Sequence, residues 1–322
     1  MDIQARRARR EQHRRAVRRR RRTAISLLAL AAALVAAVIA LAGGSSGSSS
    51  SSRASGAHVA STHHPATHDR ATPATDANAS VGAPGQQPVP ILIYHVIAAA
   101  PPGAPFPGLY VEPAQFAEQM QALANAGWHA VTLDQVQAYW SKGAALPPGK
   151  PIVVSFDNGY NSQYAQALPV LRRLGWVGDE NLQLTGLPPS QGGLSERQIR
   201  GLIAAGWELD TQGNSHADLI TLDAEQLRYQ IADTRQTLRQ RYQVPVNWFC
   251  YPSGHYDPTV IAAVKAAGFT GSTTVVDGWA HPSEDPYRMH RIRVLRGTSG
   301  QELLELLAST HDDPPAPSSY SA

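Results

Sequence analysis

The sequence predicts an α/β fold, a distorted or incomplete (β/α) barrel of about seven units over residues 89–308. Three observations lead there. Short apolar runs alternate with amphipathic stretches at helical spacing. "PIVVSF" (151–156) is continuously apolar, as a parallel strand buried on both faces requires. Polar loops follow three of the strands, where a barrel of this kind displays its chemistry. A doubly wound open sheet is the alternative.

The elements follow in order. "VPILIYHVI" (89–97) reads as the opening strand. "PAQFAEQMQALANAG" (113–127) sets Phe116, Met120 and Leu123 on one helical face and stops at Gly127. "AVTL" precedes a short helix from Asp134, and "PIVVSF" is the next strand. Residues 161–175 read as a helix that Pro169 could kink. "ENLQLTG" is a weak strand. Residues 195–206 open on a capping-box pair, Ser195 and Gln198, and close on Gly206. "WELDT" is a strand, 223–242 a long amphipathic helix, and "VNWFCYP" a strand. Residues 257–268 have an Asp cap, a Pro at the first position and a final Gly. "GSTTVV" and "RIRVL" are strands, and "SGQELLELLAS" is the last helix.

The ends of the chain differ in kind. Residues 1–22 hold 11 Arg against two acids, Asp2 and Glu11. Residues 24–42 follow as 19 positions without a charge, long enough for a bilayer-crossing helix. The Arg block orients such a span with its N-terminus inside. The expectation is a single-pass anchor at 23–42 in the cell membrane, with the rest extracytoplasmic. The alternative is a secreted form cleaved near Ala42. Residues 43–88 are a Ser/Gly/Ala/His spacer expected to lack structure, and its His58, His63, His64 and His68 read as solvated. Residues 309–322 are expected to be a tail without structure.

Taking out the basic tail leaves 17 basic and 23 acidic residues, a balance of −6, so the exported part is no nucleic-acid binder. Cys250, the one cysteine, excludes an internal disulfide. The fold must therefore stand on its core.

The polar stations are "DNGYNS" after strand 152–156, "QGNSHADL" after 207–211 and "YPSGHYD" after 246–250. A parallel sheet brings them to one end. Asp157 then stands as a reactive carboxylate, although Asp-Asn-Gly could equally be a turn. Tyr160, Trp207 and Trp279 could stack on sugar rings, with a buried core place the expectation for Trp207.

These stations resemble the motifs of the polysaccharide deacetylases, the NodB-homology family of carbohydrate esterases. "SFDNGY" resembles the first motif, Thr/Ser-Phe-Asp-Asp-Gly. "GWELDTQGNSHADL" resembles the second, built on His-Thr-x-x-His. "FCYPSGHYD" resembles the third, an aromatic-x-x-Pro-x-Gly turn. "VPILIYHVI" and "HRIRV" resemble the opening and closing strands of the branch that includes the poly-N-acetylglucosamine deacetylases. The resemblance implies a divalent metal, often zinc, whose water attacks the N-acetyl carbonyl of a glycan. It makes Asp157 the general base and His95 a possible general acid. It makes His216 a metal ligand, and Tyr160, Tyr251 and Pro252 substrate-binding residues. Where the family has its other two ligands, this chain has Asn158 and Gln212, so the triad is degraded. At position 250, where some members carry Arg, it has Cys.

Zinc takes imidazole, thiolate or carboxylate donors, and two carboxamides are poor substitutes. A metal lowers the pKa of its water from about 16 to about 7, worth on the order of 12 kcal/mol. A positioned base contributes roughly 3–5 kcal/mol. Asp157 cannot stand in for the ion. The expectation is a membrane-anchored protein directed at N-acetylated polysaccharide or peptidoglycan, with weak or no hydrolysis. An active deacetylase with an altered metal site, using Asp210 as a displaced acid, is one alternative. A non-enzymatic envelope scaffold is another. Asn158 and Gln212 could also pair with each other and fill the vacated position.

Overall fold

Nine residues, Lys150–Asn158, form the strand on which the rest of the sheet is assembled. The computed structural model describes residues 83–187, 192–311 and 314–321. Its strands are β1 (Ile91–Tyr94), β2 (Trp128–Ala130), β3 (Lys150–Asn158), β4 (Asp179–Leu182), β5 (Glu208–Thr211), β6 (Trp248–Cys250), β7 (Gly271–Thr273) and β8 (Ile292–Arg293). They run β7-β6-β5-β4-β3-β1-β8, with β2 beside the first residues of β3, and every pairing is parallel. A single parallel bridge, Thr273 to Met289, links β7 to the segment entering β8 and curls the sheet toward closure. The result is a distorted, incomplete (β/α) barrel.

The helices are α1 (Pro113–Asn125), α2 (Leu133–Lys142), α3 (Leu168–Arg173), α4 (Glu196–Ala204), α5 (Ala224–Tyr242), α6 (Pro258–Ala266) and α7 (Gly300–Ser309). Capping boxes start four of them, at Thr132 and Gln135, Ser195 and Gln198, Asp223 and Gln226, and Ser299 and Glu302. Each satisfies amide donors that the first turn leaves open.

Strand alternation sorts the core. Ile152, Val154 and Phe156 of β3 face the helices and pack with Phe116, Met120 and Leu171. Val153 faces inward with Val89, Ile91 and Trp248. Continuing that alternation puts Asp157 inside the barrel.

The structure departs from the sequence reading in several places. β3 does not end at Phe156. It carries Asp157 and Asn158 within the strand, paired with Asn181 and Leu182 of β4. The helix expected at 161–175 is present from 161 to 173, but its middle, Gln163–Ala167, is π-helical before α3 follows. Pro169 lies inside this continuous helix, directly after the π-helical turn, which is where the regular hydrogen-bond ladder is interrupted. The spacer is packed before residue 89: Gly85 N–H donates to Tyr139 O, and Trp140 Nε1 donates to Gln87 O. The C-terminal tail is tied down as well. Tyr320 and Tyr256 exchange backbone hydrogen bonds, and Tyr256 donates its hydroxyl to Pro317 O. The expected anchor at 23–42 lies outside the described residues. Among those described, no helix is long and apolar enough to cross a membrane.

Candidate functional site

A cavity of about 430 Å³ opens at the C-terminal ends of the strands. His95, Asp157, Asn158, Tyr160, Gln212 and His216 all line it. The topology therefore brings six of the predicted residues together. Tyr251 and Pro252 are not brought to its wall. Both are buried: Tyr251 stacks on Tyr256 and donates its hydroxyl to Tyr287 O, while the turn presents Ser253 and Gly254 instead.

Asp157 sits on the floor, 1% exposed. Arg291, wholly buried beside β8, grips it with two parallel hydrogen bonds, Nη1 to Oδ1 at 2.8 Å and Nη2 to Oδ2 at 2.9 Å. Asn181 Nδ2 donates to Oδ1 at 2.9 Å. Burial alone would raise this carboxyl's pKa. The charge and hydrogen bonds of Arg291, helped by His95 and Asn181, outweigh it and bring the pKa down to about 2. The Arg291 guanidinium also lies 3.1 Å from Cys250 Sγ. The cation that the chain lacks at position 250 thus enters from another strand. Burial pushes the Cys250 thiol up to about 12, so it is a buried neutral group.

His95 Nε2 stands 4.0 Å from Asp157 Oδ2. Burial lowers its pKa to about 4, with Asp157 only partly offsetting the effect, so it is a neutral imidazole at pH 7. Gln163, on the π-helical turn, donates Nε2 to the carbonyls of both His95 and Asp157, at 2.9 Å each. One buried amide thus fixes the ends of β1 and β3 relative to each other. Tyr160 is half-buried, and its hydroxyl is raised to about 12 by burial and by Tyr110 and Asp157.

The positions that would hold a metal do not form a nest. Asn158 has φ 80°, in the left-handed region, and turns Nδ2 to Gln183 Oε1 at 2.9 Å. It does not pair with Gln212. Gln212 is 2% exposed and its Oε1 has no partner. His216 is exposed at the rim, and partial desolvation of its ring against the cavity wall lowers its pKa. One imidazole and two neutral amide oxygens do not suit zinc. Asp210 is no displaced ligand for this cavity. Its Oδ1 accepts from the Asn247 and Trp248 amides, and it does not reach the cavity wall.

The remaining candidates go elsewhere. Trp207 is core, stacked on Phe156 at 4.9 Å. Trp279 packs on Trp128 and His311 and donates to Leu307 O. His255 pairs with Asp218, and His290 lies between Glu284 and Pro314 O. The sequence reading missed Arg291, Asn181, Gln183 and Gln163, which hold the site from behind. It also missed Phe106, 68% exposed at the mouth of the cavity.

Comparison with known proteins agrees with this architecture. Residues 145–272 match the family model described as Polysaccharide deacetylase. YxkH of Bacillus subtilis (strain 168), which carries the same family description, is 25% identical over 212 residues, 66% of this chain and 73% of that protein. The deacetylase PplD of Streptococcus pyogenes, solved with acetate, superposes with a TM-score of 0.63 at 24% identity, over 69% of this chain and 99% of PplD. IcaB of Ammonifex degensii gives a TM-score of 0.58 at 22% identity, over 70% of this chain and 98% of IcaB. At those identities the two structures speak for the fold. The family is generally metal-dependent, so the donor set here departs from it. Fold, motif order and the family match agree that the chain carries a polysaccharide deacetylase domain.

Proposed function

We propose that this protein is a membrane-anchored, extracytoplasmic member of the family that holds an N-acetylated envelope glycan, polysaccharide or peptidoglycan, without metal-dependent hydrolysis. One observation carries the reading: Asn158 and Gln212 put neutral amides, not a carboxylate and an imidazole, on the cavity wall beside His216. No hydroxide can be generated at pH 7 on that donor set. Asp157, with a pKa of about 2, is a weak base far from the operating pH, and His95 is already deprotonated.

The cavity suits an acetamido sugar. Gln212 Oε1, buried and without a partner, can accept the amide N–H. Val96, Leu109 and Val275 give an apolar wall for the methyl group, and Tyr160 and Phe106 offer rings at the mouth. The Arg-rich segment and the apolar run at 24–42 support the anchored, outward-facing topology.

The test is calorimetric titration with chitin oligomers against their deacetylated counterparts, alongside zinc analysis and acetate release. The expected result is binding of the acetylated oligomer alone, with no zinc and no acetate above background. Stoichiometric zinc, with acetate release abolished by Asp157→Asn, would establish the working deacetylase instead. Absence of glycan binding with a retained protein partner would establish the scaffold.

A further inference from the structure

At the opposite end of the barrel from the cavity, three acids converge. Asp179, Glu208 and Asp210 each offer an oxygen, and these oxygens lie within 4.8 Å of one another. They come from the first residues of β4 and from β5, all pointing inward, and none of them lines the cavity. Asp179 and Asp210 are fully buried.

The arrangement is built, with each group fixed from outside. Asp179 Oδ2 accepts the Leu133 amide at 2.9 Å, and Glu208 Oε2 accepts the Asp134 amide at 3.0 Å, both at the start of α2. Asp210 Oδ1 accepts the Asn247 and Trp248 amides at 3.1 and 2.8 Å. A fourth acid, Asp134, is held by Asn247 Nδ2 and Trp248 Nε1. That leaves the other oxygen of each of the three: Asp179 Oδ1, Glu208 Oε1 and Asp210 Oδ2. All three are buried; Asp179 Oδ1 has no hydrogen-bond partner, while Glu208 and Asp210 stand within hydrogen-bond reach of each other and Thr132 lies beside Glu208. Among the described residues, no side-chain cation is hydrogen-bonded to these oxygens. Arg235, whose charge feels Asp210, spends Nε and Nη1 on the Val246 and Ala267 carbonyls.

Three buried carboxyl groups this close repel one another as anions, and burial with that repulsion pushes the pKa of all three up, so the cluster calls for shared protons or for a positive charge among them. A calcium ion takes hard oxygen ligands at about 2.3–2.6 Å, so oxygens on opposite sides of it stand up to about 5 Å apart. The spacing here fits that limit. The donors are all carboxylates, which disfavours zinc or copper. We propose that Asp179, Glu208 and Asp210 form a structural site for a hard divalent cation of the calcium class. Water entering on the half-exposed Glu208 side completes the coordination. The competing arrangement is a proton held between Glu208 and Asp210, which stand close enough to share one.

The experiment uses the full chain, purified through a chelator, then titrated with calcium and separately with terbium. The expected result is about one calcium per chain, with an affinity on the order of 10⁻⁴ M. Calcium should raise the unfolding temperature. Excitation of Trp248, whose indole and amide both touch this cluster, should sensitise terbium emission that calcium displaces. Asp179→Asn and Asp210→Asn should each weaken binding at least tenfold and abolish the calcium-induced rise. Should either fail to fold, Glu208→Gln at the half-exposed edge must show the same loss. No calcium bound at millimolar concentration, or Asn variants that bind like the native chain, would overturn the proposal and leave the shared proton.

Discussion

Arg291 and Asp157 form a buried bidentate ion pair at the floor of the cavity, closed further by Asn181 and Cys250. Arg291→Met leaves the carboxylate buried without its counterion, with only Asn181 and Cys250 as donors. Removing one partner of such a pair costs about 3–5 kcal/mol. Urea unfolding should show that loss at pH 7. Arg291→Lys should recover only part of it, because an ammonium cannot match both oxygens.

Stability should fall with acid in two stages. His95 binds its proton far less readily folded, at about 4, than unfolded, at its ordinary value near 6.5. The unfolded chain therefore gains protons first, and stability drops as pH falls from about 6.5 to 4. Asp157 is depressed to about 2, so its contribution is present above its ordinary value and is lost between about pH 4 and 2. Melting temperature followed from pH 8 to pH 2 tests both limbs. His95→Phe should flatten the first limb and keep the second.

Zinc binding should return only when both lost ligands do. Asn158→Asp with Gln212→His recreates a carboxylate and two imidazoles around the cavity floor, with His216 as the third ligand. The double variant should take up about one zinc per chain, and each single variant little. Asn158→Asp also loses its donor to Gln183, so it should be the less stable single variant.

Gln163 makes a separate, cheaper test of how the site is held. Gln163→Leu strips a donor from two buried carbonyls, those of His95 and Asp157. The cost should be about 1–3 kcal/mol per unsatisfied carbonyl, with weaker binding of acetylated oligomers and no change in metal content.

Glu180 should show the reverse sign. It is buried at the sheet–helix interface with neither carboxyl oxygen bonded, and burial, with Asp157 nearby, holds it neutral well above its ordinary range. At pH 7 the unfolded chain ionises it freely, so folding loses by it. Glu180→Gln should raise stability at pH 7 and make little difference at pH 4, as paired melting curves would show.

The sequence reading reached most of the scaffold because its signals are local. Glycine stops, capping boxes and the apolar run at 151–156 each report on a few neighbouring residues. It put Asp157, Asn158, Gln212 and His216 in one place because parallel strands gather their C-terminal ends. It could not see that Asn158 would turn to Gln183, a partner one strand away, and not to Gln212. Nor did it place Arg291, which lies in "HRIRV", although alternation along that strand aims it inward. Tyr251 was misplaced because a motif fixes the backbone of a turn but does not say which side of it faces the core. The spacer and tail were drawn too long, because a few hydrogen bonds to Tyr139, Trp140 and Tyr256 leave no mark in composition.

The grip of Arg291 on Asp157 also has a history in time. The two residues lie 134 positions apart along the chain, one on a central strand and one at the last strand. A polypeptide emerging from its N-terminus exposes the acid long before its counterion exists. The barrel cannot settle strand by strand, because its middle holds an unneutralised charge until the far end arrives. Assembly should therefore be late, cooperative and slow for its size, and a chain cut short of β8 should be a ready substrate for proteases.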